Sequence, residues 1–219
     1  MFALECMKKR MSVRKFLDRD IPDEILLEIL EYASNAPSFK NSQPWEVYVV
    51  KEPILSVLSD LLIKEFMAGN PPTPLIKEPD WPEKIRDRIN RHITTRAKVF
   101  GVDINDKESI KNAKLENYRF YNAPAAIFVF CENSLSEWSV FDLGAFVYGI
   151  TLAATAKGLG TVIQASLADY PHIIKKVLNV PDNLRLIVGI SIGYTDESNI
   201  ANSYKSTRIP VSEFVRFVR

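Results

Sequence analysis

The residues with the clearest chemistry stand near the N-terminus, where Arg10, Ser12 and Arg14 alternate with the apolar Met11 and Val13. A period of two is typical of an extended segment, so the three polar side chains are expected on one face. Two guanidinium groups and a hydroxyl can bind a phosphate or the acceptor atoms of a ring, because arginine presents its donors in a fixed fork. A solvated basic stretch would have the same composition.

A second polar group lies at residues 37–43, where Ser38, Asn41 and Gln43 stand in a loop that begins at Pro37. Hydroxyl and amide groups both donate and accept hydrogen bonds, which suits a neutral planar heterocycle better than a simple ion. A polar loop held between a helix and a strand is a common place for a binding site. A plain connection between the two elements is the alternative that these residues leave open.

Familiar catalytic signatures are missing from the sequence. It contains no G-x-S-x-G, Walker A, H-E-x-x-H or C-x-x-C pattern, and Gly158-Leu159-Gly160 lacks the third glycine of a dinucleotide fingerprint. With only His92 and His172, and with Cys6 and Cys131 far apart, we expect no metal site and two free buried thiols. An enzymatic reaction would therefore depend on a bound organic cofactor.

The composition is that of a globular chain with a sizeable core, since 47% of its 219 residues are hydrophobic. Because 28 basic residues balance 27 acidic ones, bulk charge gives no reason to expect a nucleic-acid or anionic-membrane partner. The N-terminus lacks the pattern of a secretory signal, and no apolar stretch is expected to be long enough to span a bilayer. These features predict a cytoplasmic protein.

The chemistry-bearing segments must be positioned by an α+β fold, with a central mixed, mainly antiparallel sheet covered by helices. The nearly continuous apolar run from Val47 to Val50 predicts that the strand at 45–50 is covered on both faces. Hydrophobic periodicity and proline positions predict helices at 3–9, 22–36, 53–67, 83–100, 106–118, 136–157 and 171–178, and strands at 45–50, 126–131, 161–164 and 185–192.

Two of these regions have special roles in the prediction. The helix at 136–157 is apolar nearly all round and ends at Gly158, so we expect it at the centre of the domain or across a subunit interface. Residues 68–118 begin with a cluster of prolines and contain two polar helices. We expect a single domain over 1–219 in which 68–118 is an insertion or lid that faces the substrate.

Taken together, four motifs resemble those of the nitroreductase family of flavin enzymes. Any one of them is weak evidence, but they occur in the same order as in the family, and only about 68–118 lies outside the resemblance. They are Arg10-x-Ser12-x-Arg14-x-Phe16, Ala36-Pro37-Ser38-x-x-Asn41-x-Gln43-Pro44-Trp45, Gly158-Leu159-Gly160-Thr161, and Gly193-Tyr194 with the later Arg208-Ile209-Pro210.

The resemblance implies an obligate homodimer, with the long helix at its interface and two FMN molecules that each contact both subunits. One subunit is expected to hold the phosphate and the polar edge of the flavin through residues 10–14 and Arg208, while the loop at 37–41 approaches from the other. The implied cofactor-binding residues are Arg10, Met11, Ser12, Arg14, Pro37, Ser38, Phe39, Asn41, Ile163, Gln164, Ala165 and Arg208. Gln43, Pro44 and Trp45 are expected to be structural.

The sequence departs from common family patterns at three places. Met11 stands where another basic residue is frequent, and residues 163–166 lack the glycine or acidic residue that many relatives have against the flavin. Lys205 lies three residues before Arg208, whereas some relatives place the lysine two residues before. A phosphate contact from Lys205 is therefore left open.

The activity that the resemblance implies is transfer of hydride from NADH or NADPH through flavin N5 to a small oxidised acceptor, in ping-pong order. Nitroaromatics and quinones are the expected acceptors. Enone reduction, reductive dehalogenation and fragmentation of the flavin are alternatives within the same fold. A flavin-binding protein without turnover and a helical dimerisation module without a cofactor are alternatives from other classes.

Overall fold

A four-stranded sheet with strand order β1-β2-β4-β3 forms the centre of the protein, seen in a computed structural model that describes residues 2–219. All of its strand pairs are antiparallel, and an isolated parallel bridge joins Ser12 to Thr161. The elements are α1 (Ala3–Lys9), α2 (Asp23–Ala33), β1 (Glu46–Lys51), α3 (Ile54–Met67), α4 (Glu83–Phe100), α5 (Lys107–Tyr118), β2 (Ala125–Glu132), α6 (Glu137–Ala156), β3 (Leu159–Gln164), α7 (Pro171–Val177) and β4 (Leu184–Tyr194).

The alternation of side chains along β2 divides the core into two layers. Residues 125–131 are all fully buried, because β2 pairs with β1 on one side and β4 on the other. Ala126, Phe128 and Phe130 pack with α3, α5 and α7, while the intervening residues pack with α2 and α6. Helices thus cover both faces of the sheet, and the predicted α+β architecture is confirmed.

β1 corrects one expectation. It lies at the edge of the sheet, and Val49 is 40% exposed, so the prediction of a strand covered on both faces is wrong within the protomer. An apolar run does not distinguish a central strand from an edge strand that leaves some of its apolar side chains exposed. The preceding Trp45 has the structural role predicted for it, since its ring stacks on Phe146 with centres 4.6 Å apart.

α6 corrects a second expectation, because it is long and apolar enough to cross a bilayer by length and composition alone. The expectation that no apolar stretch is long enough to span a bilayer is therefore wrong. In this fold α6 packs against α2 and β3, and it carries the buried carboxylate of Asp142, as the core helix of a globular protein can. The cytoplasmic location stays a prediction, as does the single domain with a lid at 68–118.

Candidate active site

The N-terminal segment at residues 10–17 is held against the ends of β3 and β4. The Val13 amide donates to the Thr161 carbonyl at 2.9 Å, and the Leu17 amide donates to the Tyr194 carbonyl at 2.9 Å. Val13 is buried while Ser12 and Arg14 are only half-buried, as expected for an extended segment with one inner face. The sheet therefore fixes the position of the arginines.

Gly160 permits this close approach, because a Cβ atom there would lie 2.6 Å from Val13 Cγ2 and 2.5 Å from Thr195 Oγ1. We expect Gly160→Ala to lower the free energy of unfolding by about 1–3 kcal/mol, the usual cost of overpacking. The N-terminal segment is expected to shift away from β3. Thermal unfolding measures the first effect, and an unchanged melting temperature would contradict the packing described here.

The segment forms one wall of a cleft of about 850 Å³. Five cationic side chains line it, namely those of Lys8, Arg10, Arg14, Lys205 and Arg208, and its lining residues include no aspartate or glutamate. None of the five forms an ion pair with a carboxylate within residues 2–219. A cleft with this charge is suited to an anionic ligand, since the cations have no internal counter-charge.

The crowding of like charges also appears in the arginine pKa values. Burial lowers the pKa of Arg10, and the neighbouring Arg208 lowers it further. Burial likewise lowers the pKa of Arg14, with an opposing effect from the Tyr121 hydroxyl. Arginine remains protonated at neutral pH, so the shifts reflect the burial of both guanidinium groups and, for Arg10, a repulsion by Arg208 that a bound anion would relieve.

The segment at residues 199–208, called here the return segment, completes the other wall of the cleft. Asn202 joins it to the N-terminal segment, because its Oδ1 accepts from the Arg14 amide at 2.8 Å and its Nδ2 donates to the Lys15 carbonyl at 2.7 Å. The Arg14 guanidinium lies 5.7 Å from the centre of the Phe100 ring at the end of α4. Arg14 is thus contacted by two other parts of the chain, the return segment and α4.

The loop at 37–43 lies elsewhere in the protomer, beside the first half of α6. The Phe39 amide donates to Asp142 Oδ2 at 2.9 Å, and the Phe39 ring stacks on Trp138 with centres 5.8 Å apart. The cleft instead touches the second half of α6, at Tyr148 and Thr151. Nine residues separate Asp142 from Thr151, or about 14 Å along the helix. The two predicted halves of the site are therefore not joined within one chain.

The remaining predicted residues have different surroundings. Met11 and Ile163 line the cleft with the arginines, and Ile163 is 43% exposed. Gln164 is buried, and its side chain faces inward, donating to the Asn117 carbonyl at 3.0 Å and accepting from the Ser191 hydroxyl. Ala165 is exposed at the start of a short 3-10 helix (Ala165–Ala168) after β3, and it is not among the residues that line the cleft.

Several cleft residues were not identified as binding residues from the sequence. His92 and Tyr204 come from distant segments that only tertiary packing brings together, and Tyr148 and Thr151 lie on a helix whose apolar composition hides a polar face. The only signal in the sequence for any of these cleft residues is the spacing of Tyr148 and Thr151, which places both on the same side of α6. The residues missed are Met7, Lys8, His92, Tyr148, Thr151, Tyr204 and Ser206, and Lys205 was left open.

Comparison with known proteins identifies the family and the fold. The sequence profile described as the Nitroreductase family matches residues 7–194. The chain belongs to the nitroreductase family. The prediction of an oxidoreductase is thereby confirmed at the level of the family.

Two nitroreductases show how far the similarity extends. The chain is 31% identical to 4-nitrobenzoate reductase of Pseudomonas putida, over 95% of this chain and 92% of that one. The FMN-dependent nitroreductase NfnB from Mycobacterium smegmatis, solved in complex with NADPH, superposes with a TM-score of 0.94 at 28% identity, over 99% of this chain and 98% of that one. This structural neighbour is FMN-dependent and is bound to NADPH, in agreement with the cofactors that the family resemblance implied.

Proposed function

We propose that the protein is an FMN-dependent oxidoreductase that uses NADH or NADPH, and the observation that carries this proposal is the cationic cleft without carboxylates. FMN, when bound, can accept a hydride from a nicotinamide and deliver it to an oxidised acceptor. Its phosphate carries nearly two negative charges, which the unpaired arginines can neutralise. The donor set of the cleft therefore fits the cofactor.

In this proposal each wall of the cleft has a distinct task. Arg10 and Arg208, which lie close enough to repel each other, bind the phosphate. Ser12 and Arg14 face the polar edge of the flavin, where a fixed cation stabilises negative charge. The exposed Ile163 side chain offers an apolar surface for the ring. No side chain is required as a catalytic acid or base.

We further propose that a homodimer completes the site through α6. Its outward face is apolar within the protomer, with Trp138 60% and Phe141 70% exposed. If two α6 helices pack antiparallel about a two-fold axis near Ala145, Asp142 of one lies opposite Tyr148 of the other. The loop at 37–41, held by Asp142, then reaches the partner's cleft. Pro37, Ser38, Phe39 and Asn41 are assigned to FMN through that geometry.

Asp142 is the residue that would hold this loop in place. We expect Asp142→Ala to weaken FMN binding about tenfold, because the Phe39 amide loses a charge-assisted hydrogen bond. Fluorescence titration of FMN measures the affinity. The control is Asp196→Ala, which removes a carboxylate that bonds Ser198 and does not line the cleft. Equal FMN affinity in the Asp142 and Asp196 variants would contradict the proposed role of the loop.

Nitroaromatic compounds are the acceptors that we propose, with reduced nicotinamide leaving before the acceptor binds. Two observations support this class of acceptor. Relatives of the chain are named as nitroreductases, and the cleft is open and lined by both polar and apolar side chains. We propose that residues 68–118 act as a lid, since His92 of α4 lines the cleft. Quinones remain a second class of acceptor to test.

The direct test is the absorbance spectrum of the purified protein, followed by an acceptor panel. We expect flavin absorbance with one FMN per chain, and NAD(P)H oxidation that depends on 4-nitrobenzoate, nitrobenzene or a benzoquinone. A colourless protein that does not bind added FMN would contradict the proposal and favour a dimerisation module. Bound FMN without turnover would favour a non-catalytic flavin protein.

A further inference from the structure

His92 is a titratable group in the cleft to which the proposed function gives no task. It lies on α4, it is half-buried, and its Nδ1 is 2.8 Å from the Tyr204 hydroxyl. Tyr204 belongs to the return segment, directly before Lys205 and four residues before Arg208. Tyr204 therefore fixes the histidine ring beside the proposed phosphate-binding residues, and α4 is joined to that segment.

The surroundings of His92 disfavour its protonation. Burial lowers its pKa most, followed by the charges of Arg96 on α4, Arg14 on the N-terminal segment and Arg208 on the return segment. The other titratable groups that line the cleft are Lys8, Arg10, Tyr148, Tyr204 and Lys205, and none of them is a carboxylic acid. The imidazole is accordingly neutral near pH 7 when the cleft holds no anion.

We propose that His92 is a proton-linked anion-binding residue, which takes up a proton when a phosphate monoester enters the cleft and then adds a positive charge to its binding site. This inference rests on the proposed function, because it places the FMN phosphate in the cleft. The 2′-phosphate of NADPH has the same chemistry and is the second source of such a group. None of the sequence motifs that suggested the cofactor site includes His92.

The direction of the effect follows from linkage. A bound phosphate neutralises the arginines that repel a proton from the imidazole, so the pKa of His92 rises on binding. Phosphate affinity then increases as the pH falls through the range between the pKa of His92 in the bound protein and its lower pKa in the apoprotein. The total increase is about tenfold for each unit by which the two pKa values differ. The phosphate itself has a pKa near 6 and loses affinity when it is protonated, so the gain is clearest above about pH 6.5.

The chain is well suited to a direct measurement, because it contains only two histidines. NMR titration of both imidazole rings gives their pKa values in the apoprotein, with FMN, and with riboflavin, which lacks the phosphate. His172 is the internal control, since its side chain is 61% exposed and its Nε2 lies 3.8 Å from Glu65, away from the cleft. Adding NADP⁺ or NAD⁺ to the FMN-loaded protein tests the 2′-phosphate of the nicotinamide nucleotide as the second source, without starting a reaction.

We expect the pKa of His92 to lie below 6.5 in the apoprotein and to rise by about one unit or more with FMN, but not with riboflavin. A rise only when NADP⁺ is added, and not with NAD⁺, would support the inference and assign the nicotinamide phosphate as the source. In either case, the added ligand should leave the NMR signals of His172 unchanged. His92→Gln, which retains a hydrogen-bonding side chain, should lose the pH dependence of affinity above pH 6.5.

Two failures are distinguishable. An unchanged His92 pKa in protein saturated with FMN and then with NADP⁺ would overturn the inference and leave the proposed function intact. The same pH dependence in wild type and His92→Gln would also overturn it. If wild-type apoprotein binds no FMN at any pH, the proposed function fails first.

Discussion

Replacing Arg10 by alanine is expected to weaken FMN binding about 10- to 100-fold, the usual effect of losing one hydrogen bond to a charged group. The same substitution should leave the apoprotein at least as stable as wild type. Both effects have one cause, because Arg10 stands beside Arg208 without a carboxylate partner in the described part of the chain. Removing it relieves repulsion in the apoprotein and deletes a phosphate ligand.

FMN fluorescence titration and thermal unfolding of the apoprotein measure the two effects separately. Arg86→Ala is the matched control, because Arg86 is an exposed arginine of α4 that bonds Asp80 and the Trp81 carbonyl instead of lining the cleft. Arg10→Lys should recover part of the affinity by restoring the charge without the guanidinium fork. Wild-type FMN affinity in Arg10→Ala would remove Arg10 from the site.

The second large effect is expected in mixed dimers. An Arg10→Ala subunit is defective in the cationic half of the site, and an Asp142→Ala subunit is defective in the half formed by the loop. If each site combines the two halves from different chains, a hybrid dimer contains one site with only wild-type residues and one with both defects. We expect the hybrid to bind FMN at half of its sites with wild-type affinity.

Co-expression with two different affinity tags isolates the hybrid, and fluorescence titration gives its number of sites and affinity. If each site were built within one chain, both sites of the hybrid would carry one defect, and no wild-type affinity would appear. Phe141→Asp offers a second check, because a charge on the exposed face of α6 should separate the subunits and reduce FMN binding in parallel. A stable Phe141→Asp dimer with full FMN content would contradict the proposed interface.

Much of the fold could be predicted from the sequence because its signals are local. The helix at 83–100 and the start of α7 at its own Pro171 were predicted at the observed positions, since periodicity and proline chemistry act within a few residues. The position of Arg10, Ser12 and Arg14 on one face also follows from a local pattern, the alternation of polar and apolar residues. Their meeting with Arg208 in one cleft agrees with the pairing that the family resemblance implied.

The rest depends on contacts between distant segments. No local pattern shows that β1 is an edge strand or that Asp142, inside an apolar helix, holds the loop through the Phe39 amide. His92 and Tyr204 lie 112 residues apart, and each looks unremarkable in its own segment. Functional side chains of this kind become visible only when the tertiary structure brings the segments together.

The central claim, that this chain is an FMN-dependent oxidoreductase, is tested most directly by anaerobic titration of the FMN-loaded protein. Adding NADPH, and in parallel NADH, without an acceptor should bleach the flavin absorbance with one equivalent per site. After the nicotinamide is removed, 4-nitrobenzoate or a quinone should restore it. Flavin absorbance that persists with excess NADPH and excess NADH would contradict the account.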